Sequence, residues 1–383
     1  MSKVIFGDVV RRANTKEDRH NTDKIYYVGG EHIESNEVLI ENRGLIEGST
    51  IGPMFYFGFK AGDVLFVSRN PHLRKAGMVT FDGICSEKTF VLETKDESVL
   101  LQRYLAFVMQ SDHFWSYMEA HKSGSVNFFI NWSTLEKYEF DLPDIEKQKS
   151  LSDMLWAINN TKKAYRNLIV ATDNLIKGKF VDLFGALGSD EKGWGLTTLG
   201  KCCILNPKRE KGISDDLAVS FVPMPSVSEN GLIDCSDIRP YREVKKGFTY
   251  FAENDVLFAK ITPCMENGKG AVAEGLTNQI GAGSTEFHVL RPIAGKSNSY
   301  WIYIITMFEQ FRKGARDVMT GTGGQLRVPI TYLDEFVISL PPIEIQEQFE
   351  CFVRKNNHTK FAIQESLTNL IGLERSILAE NFN

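Results

Sequence analysis

The sequence predicts an α+β protein made of two pseudo-repeated α/β globules, separated by two long helices that pair as an antiparallel coiled coil. Three observations predict it: an internal repeat spanning nearly the whole chain, the same order of strand-like and helical segments in each copy, and a heptad pattern closing each copy.

The repeat is clearest between SGSVNFFINWSTLEKYEFDLPDIEKQ (123–148) and TGTGGQLRVPITYLDEFVISLPPIEIQEQ (320–348). With Leu135 on Leu333, Leu142 falls on Leu340, Pro143 on Pro341, Glu146 on Glu344 and Gln148 on Gln346. Upstream, IFGDVV (5–10) resembles TLGKCC (198–203), and AGDVLFVSR (61–69) resembles ENDVLFAKI (253–261), placing Asp63 on Asp255. At an offset of 198, GTGG is matched by SGSV, so the glycines read as local variation and the hydrophobic rhythm as shared architecture.

Each copy opens with short runs of Val, Ile, Phe and Thr punctuated by glycine and asparagine, the mark of strands. An aromatic-rich helix is predicted over 99–120 in the first copy and over 300–312 in the second. The alternation in YEFDL and FVISL predicts a strand that proline then stops, and Asp144, Glu146 and Glu344 suit a helix start. Beyond the proline, apolar positions recur about every 3.5 residues. One seam runs through Leu151, Met154 or Leu155, Ile158, Thr161, Tyr165, Leu168, Thr172, Leu175, Lys179 and Leu183. The other runs through Phe349, Phe352 or Val353, Asn356, Thr359, Ile363, Leu367, Leu370, Leu373, Ile377 and Asn381, with Asn356 predicted to fix register. Helices of this kind reach roughly 60 Å at 1.5 Å per residue. The predicted boundaries are a first globule over 1–143, a helix over 144–184, a glycine-rich linker over 185–195, a second globule over 196–341 and a second helix over 342–383.

Composition narrows the function classes. Net charge is −5, with 44 Lys and Arg against 49 Asp and Glu, so nucleic-acid binding has to rest on local cationic clusters. The six cysteines form no CxxC pair and fit a reducing cytoplasm. The histidines show no metal-ligand spacing, so no metal and no cofactor is expected. The apolar run YWIYIITMF (300–308) is too short to span a bilayer, and no membrane association is expected. TGTGGQ lacks the lysine of a phosphate-binding loop, and it reads as a tight turn leading into the last strand of the second globule.

Two related globules at a fixed separation suit the reading of two marks a fixed distance apart, as DNA half-sites are. The doubled order globule–helix–globule–helix, the FGD-type opening, the GDVLF strand and the LPP-I-E-x-Q helix start resemble the DNA specificity (S) subunits of type I restriction–modification systems. Copy one departs in having LPD, and the second opening in having LGK. The resemblance implies two target recognition domains, each reading one half of a split asymmetric target on double-stranded DNA. It implies spacer helices that set the gap and dock two methyltransferase subunits, with restriction/translocase subunits completing the complex. It also implies a non-catalytic chain.

Base readout needs Arg or Lys for guanine and Asn or Gln for adenine. Such residues in polar loops after strands are Arg69, Asn70, Arg74, Lys75 and Asn127 in the first copy, and Lys260, Asn267, Lys269, Gln325 and Arg327 in the second. Arg11, Arg12, Lys208 and Arg209 are weaker candidates near the domain openings, and Phe128, Phe129 and Trp132 read as packing residues. Two other classes stay open. One is a metal-dependent nuclease using Asp234 or Asp237 with Glu243-Val244-Lys245; the other is a helical scaffold without DNA readout.

Overall fold

The sequence repeat is a repeat of topology. In the computed structural model, which describes residues 2–382, the chain divides into two compact units, Met1–Asn167 with Gln364–Asn383, and Leu168–Ile363.

In the first unit one sheet runs in the order Val10–Ala13, Thr89–Thr94, Val64–Val67, Ala76–Val79, Leu39–Ile40. A second runs Gly44–Leu45, Tyr26–Val28, Gly83–Ser86, Phe55–Phe59. The second unit repeats the first four strands of that sheet as Cys203–Leu205, Phe287–Pro292, Val256–Ala259 and Gly270–Val272. It repeats the other sheet as Ile238–Pro240, Ala218–Val222, Ile280–Gly283 and Thr249–Ala252. One parallel pair recurs at the same place, Tyr26–Val28 against Gly83–Ser86 and Ala218–Val222 against Ile280–Gly283. Register agrees residue by residue: Leu92 lies opposite Val64 and Arg12, and Leu290 opposite Val256 and Leu205. These central strands are buried on both faces, which explains why VLFV and VLFA are continuous apolar runs rather than alternating ones.

The YEFDL and FVISL segments are strands, Glu139–Leu142 and Val337–Ser339. Each pairs antiparallel with the first strand of its own unit, Ser2–Ile5 and Leu196–Thr198. The single aromatic helices expected over 99–120 and 300–312 are each two helices: Gln102–Val108 with Asp112–Ala120, and Ser299–Met307 with Glu309–Asp317. The Ser111 hydroxyl accepts from the Phe114 N–H and starts a new helix, while Phe308 is extended, at φ −72° and ψ 138°. TGTGGQ is likewise more than a turn. Thr320–Thr322 pairs with Gln325–Arg327 as a hairpin, with Gly323 and Gly324 both at positive φ in its two-residue loop. A helical segment, Ile330–Glu335, separates it from the final strand.

The shared glutamines tie the start of each long helix to its unit. Gln148 and Gln346 are fully buried. The Gln148 amide donates to the carbonyls of Val99 and Pro143 at 2.8 and 2.9 Å, and its Oε1 accepts from Leu101 N–H at 3.0 Å. Gln346 does the same with Lys296, Pro341 and Asn298 N–H at 3.0, 2.9 and 2.9 Å.

The long helices are Ile145–Phe184 and Ile343–Asn381. Their buried seam agrees with the expected one at Leu151, Leu155, Ile158, Phe349, Val353, Ile363 and Leu367 and departs from it at other positions. Leu168 and Leu175 are 48% and 54% exposed, and Thr161 and Thr359 are exposed. Thr172 is buried as expected, whereas Lys162, Ile169, Ile176 and Phe180 are buried outside the expected seam, as is Lys360 in the second helix. Within the first unit the Lys162 ammonium meets Glu374 at 2.5 Å; within the second, Lys360 meets Asp173 at 2.6 Å. In that second unit the helices run antiparallel, since Asp173 faces Lys360 while Phe180 packs on Phe349. Asn356 does not reach across; its amide donates to Phe352 O of its own helix. A lysine buries its aliphatic stem while its ammonium finds an acid, so a seam position occupied by lysine is invisible to a search for apolar residues.

One equivalence carries different chemistry. Asp63 and Asp255 are both buried and accept a turn N–H, from Lys60 and Ala252 respectively. Arg291 grips Asp255 with two bonds of 2.7 Å, whereas the equivalent residue in the first unit is Glu93. Burial, with Glu93 adding repulsion, pushes the Asp63 carboxyl up to about 6. A raised carboxyl value means that the folded unit holds the proton more tightly than the unfolded chain. That stabilisation is complete below the ordinary value of 3.8 and is lost as pH rises through about 6. Asp63→Asn is therefore expected to raise the melting temperature of the first unit by a few degrees at pH 8, with the gain shrinking toward pH 4. Asp255→Asn, which weakens a bidentate ion pair, is expected to lower stability at pH 8. Thermal unfolding of both variants at the two pH values checks the opposite signs.

Candidate nucleic-acid interface

The matching strand edges of the two units each end in a cationic cleft. In the first unit Val64–Val67 ends at Ser68 and Arg69. Beside it, the neighbouring strands supply Arg12 and Phe90, and the turn before Phe90 supplies Lys88. Together with Glu87, which is ion-paired with Lys88, and Phe129, Asn131 and Trp132 they line a cleft of about 270 Å³. Arg12 lies over the Phe90 ring at 4.2 Å, and burial draws its guanidinium below the ordinary arginine value. Arg69 is exposed and, among the described residues, makes no side-chain hydrogen bond or ion pair. Its backbone bridges to Phe129, which bridges in turn to Ser123.

The second unit repeats the arrangement with other side chains. Asn206, Lys208, Arg209, Tyr250, Lys260 and Phe287 line a cleft of about 330 Å³ at the same sheet edge. Lys260 occupies the position of Ser68, and Ile261 that of Arg69. Among the described residues neither Lys208 nor Lys260 has a side-chain hydrogen bond or ion pair, while Arg209 donates to the carbonyls of Val244, Lys245 and Phe248. The imidazole beneath the cleft is fixed, with His288 Nε2 at 2.9 Å from Val328 O and Nδ1 at 3.3 Å from Asn206. Its desolvation lowers the His288 value, so it is a neutral ring near pH 7.

The candidates from sequence fall into two groups. Among the described residues no side-chain hydrogen bond or ion pair engages Arg69, Asn127, Lys260, Asn267 or Gln325, and Asn127, Asn267 and Gln325 are exposed. Arg74 is engaged with Asp112 at 2.5 Å, Lys75 with Gly30 O at 2.6 Å and Lys269 with Met224 O at 3.4 Å. Arg327 is engaged with Glu286 at 2.8 Å. Asn70 is held in a left-handed conformation, with φ 52°, and its N–H donates to Phe128 O. Sequence reasoning passed over Lys88 and Asn131 and ranked Arg12 and Lys208 low. These residues reach the clefts through strand pairing between distant segments, which no local pattern announces.

The nuclease constellation does not assemble. Asp237 is held by Arg239 at 2.7 Å, Asp234 accepts from Ser236 N–H, and Lys245 is paired with Asp215 at 2.7 Å. Among the described residues no group of three His, Cys, Asp or Glu side chains is placed to hold a metal ion, and no helix is long and apolar enough to cross a membrane.

No family model matches the chain. It is 39% identical over 183 residues to the type I restriction enzyme EcoAI specificity subunit of Escherichia coli, covering 46% of this chain and 30% of that protein. It is 39% identical over 164 residues to the EcoEI specificity subunit of Escherichia coli, covering 41% of this chain and 27% of that one. Over these stretches the chain is similar to type I restriction specificity subunits. It spans less than a third of the length of these two relatives. The specificity-subunit fold extends across the chain. The type I restriction–modification S subunit from M. genitalium superposes with a TM-score of 0.59 at 12% identity, over 99% of this chain and 95% of that one. A structure described as showing complex assembly and conformational transition of the type I R-M system gives a TM-score of 0.51 at 17% identity. It covers 100% of this chain and 97% of that one.

Proposed function

We propose that this chain is the non-catalytic DNA-specificity subunit of a type I restriction–modification complex. In this reading the target recognition domains are 1–143 and 196–341, the spacer helices are 144–184 and 342–383, and 185–195 is a linker. Each recognition domain reads one half of a split, asymmetric target on double-stranded DNA, and the antiparallel helices set the gap. Two methyltransferase subunits and the restriction/translocase subunits dock on the chain and carry the chemistry.

One observation carries the reading. Two units of the same topology present cationic clefts at the same sheet edge, and the cleft walls differ. Arg12, Arg69 and Lys88 stand in one, Lys208 and Lys260 in the other, so the two halves of the target are expected to be unlike. Because net charge is −5, partner subunits are expected to supply part of the phosphate contact.

The test is to co-express the chain with the methyltransferase encoded beside it and to map every methylated base in the host genome. The expected motif has two unlike halves and a fixed gap. Replacing residues 1–143 by another member's first domain is expected to change one half only, and lengthening both helices by one heptad to change the gap alone. A motif whose halves change together would refute the two-domain reading. No motif from a soluble complex would favour a scaffold.

A further inference from the structure

At an offset of 198 residues the glycines of the two final turns seemed unrelated. The backbone aligns them one residue differently. Ser123 bridges to Phe129 and Phe129 to Arg69, just as Thr320 pairs with Arg327 and Arg327 bridges to Ile261. Ser123-Gly124-Ser125 therefore occupies the place of Thr320-Gly321-Thr322. Both glycines have positive φ, 98° and 146°. A Cβ on Gly124 would strike the carbonyl oxygen of Asn127, and one on Gly321 that of Gln325. The glycine is kept because the returning strand passes too close for a side chain.

The same turn thus carries a hydroxyl on each side of its glycine in both units. None of the four hydroxyls makes a hydrogen bond among the described residues, and Ser125, Thr320 and Thr322 are exposed. No acidic residue lies in 123–127 or 320–325. Each turn is joined by backbone pairing to the strand end that forms the cationic cleft. The cleft walls differ between the units, whereas the hydroxyl–glycine–hydroxyl turn does not.

If two domains read different bases, what they share has to address what all DNA shares. We propose that Ser123 and Ser125, and Thr320 and Thr322, are phosphate-contacting residues that hold the DNA backbone in register at each cleft and do not read bases. This rests on the specificity-subunit reading above. Hydroxyl donors suit the task, since they accept any sequence and position the duplex for the neighbouring Arg, Lys, Asn and Gln groups. Being uncharged, they displace no counterion.

The test uses the complete complex with its methyltransferase, carrying Ser123→Ala with Ser125→Ala, or Thr320→Ala with Thr322→Ala. Binding is measured on a duplex bearing the mapped motif and on a scrambled duplex, between about 50 and 200 mM salt. Kd is expected to rise about tenfold on both duplexes, with the ratio between them, the methylated motif and the salt slope unchanged. Thr320→Ser with Thr322→Ser is expected to retain wild-type binding, separating the hydroxyl from the fold. Arg69→Ala, by contrast, is expected to lower the salt slope by about one. Unchanged Kd in both alanine variants, or a loss confined to the motif duplex, would overturn the proposal. A wild-type complex with no preference for its motif duplex would overturn the specificity reading beneath it.

Discussion

Gln346→Leu is expected to lower the stability of the Leu168–Ile363 unit by about 3 kcal/mol. The side chain is fully buried and satisfies three backbone groups: the carbonyls of Lys296 and Pro341 and the N–H of Asn298. Leucine is similar in size but bonds to none of them, and each buried backbone group left unpaired costs about 1–3 kcal/mol. Relaxation and water entry lower the sum. The loss is expected to be local, because these bonds tie the turn before the helix Ser299–Met307 to the start of Ile343–Asn381. Urea unfolding gives the total. Hydrogen exchange is expected to show the largest loss of protection at 293–307 and at the first turns of the long helix. Gln148→Leu should behave in the same way in the first unit. Equal exchange in variant and wild type would show that the glutamine is not the tie.

The second large effect concerns Lys162. Its side chain is 5% exposed and that of Glu374 is 14%, so removing the cation leaves a largely buried carboxylate. Lys162→Met is expected to cost about 2–3 kcal/mol at pH 7, most of it from the orphaned acid. Adding Glu374→Leu is expected to restore most of the loss, since an apolar pair of similar volume replaces a buried ion pair with little penalty. The double-mutant cycle, by urea unfolding of the four proteins, measures the coupling. Independent losses that simply add would mean that the pair is not coupled in solution. Lys360 and Asp173 offer the parallel cycle in the second unit. Because Asp173 is 36% exposed, its orphaned charge is partly solvated and the coupling is expected to be smaller.

Much of the architecture was legible because it is written twice. The shared letters at Asp63 and Asp255, and at Gln148 and Gln346, turn out to be buried residues tying backbone segments together, which is why they persist when their surroundings change. The heptads announced long helices. They misplaced the middle of the seam, because Lys162 and Lys360 do not look like core residues until their acids are seen. The aromatic segments announced helix but hid the breaks, set in one case by a single hydroxyl cap at Ser111 and in the other by an extended Phe308.

The sequence by itself determined the doubled order of strands, aromatic helical segments and long helices, the family resemblance, and the absence of a basic domain. These follow from local periodicity, turn chemistry and residue identity, which covalent order carries. Only the tertiary structure decided which cations are free. Arg74, Lys75, Lys269 and Arg327 looked as available as Arg69 and Lys260 until folding brought Asp112, Gly30, Met224 and Glu286 against them. It likewise placed Arg12 and Lys88 beside Arg69 and Lys208 beside Lys260, and it revealed Gly124 and Gly321 as one position. Pairing between strands distant in sequence depends on register and close approach, and neither is encoded in any short stretch of the chain.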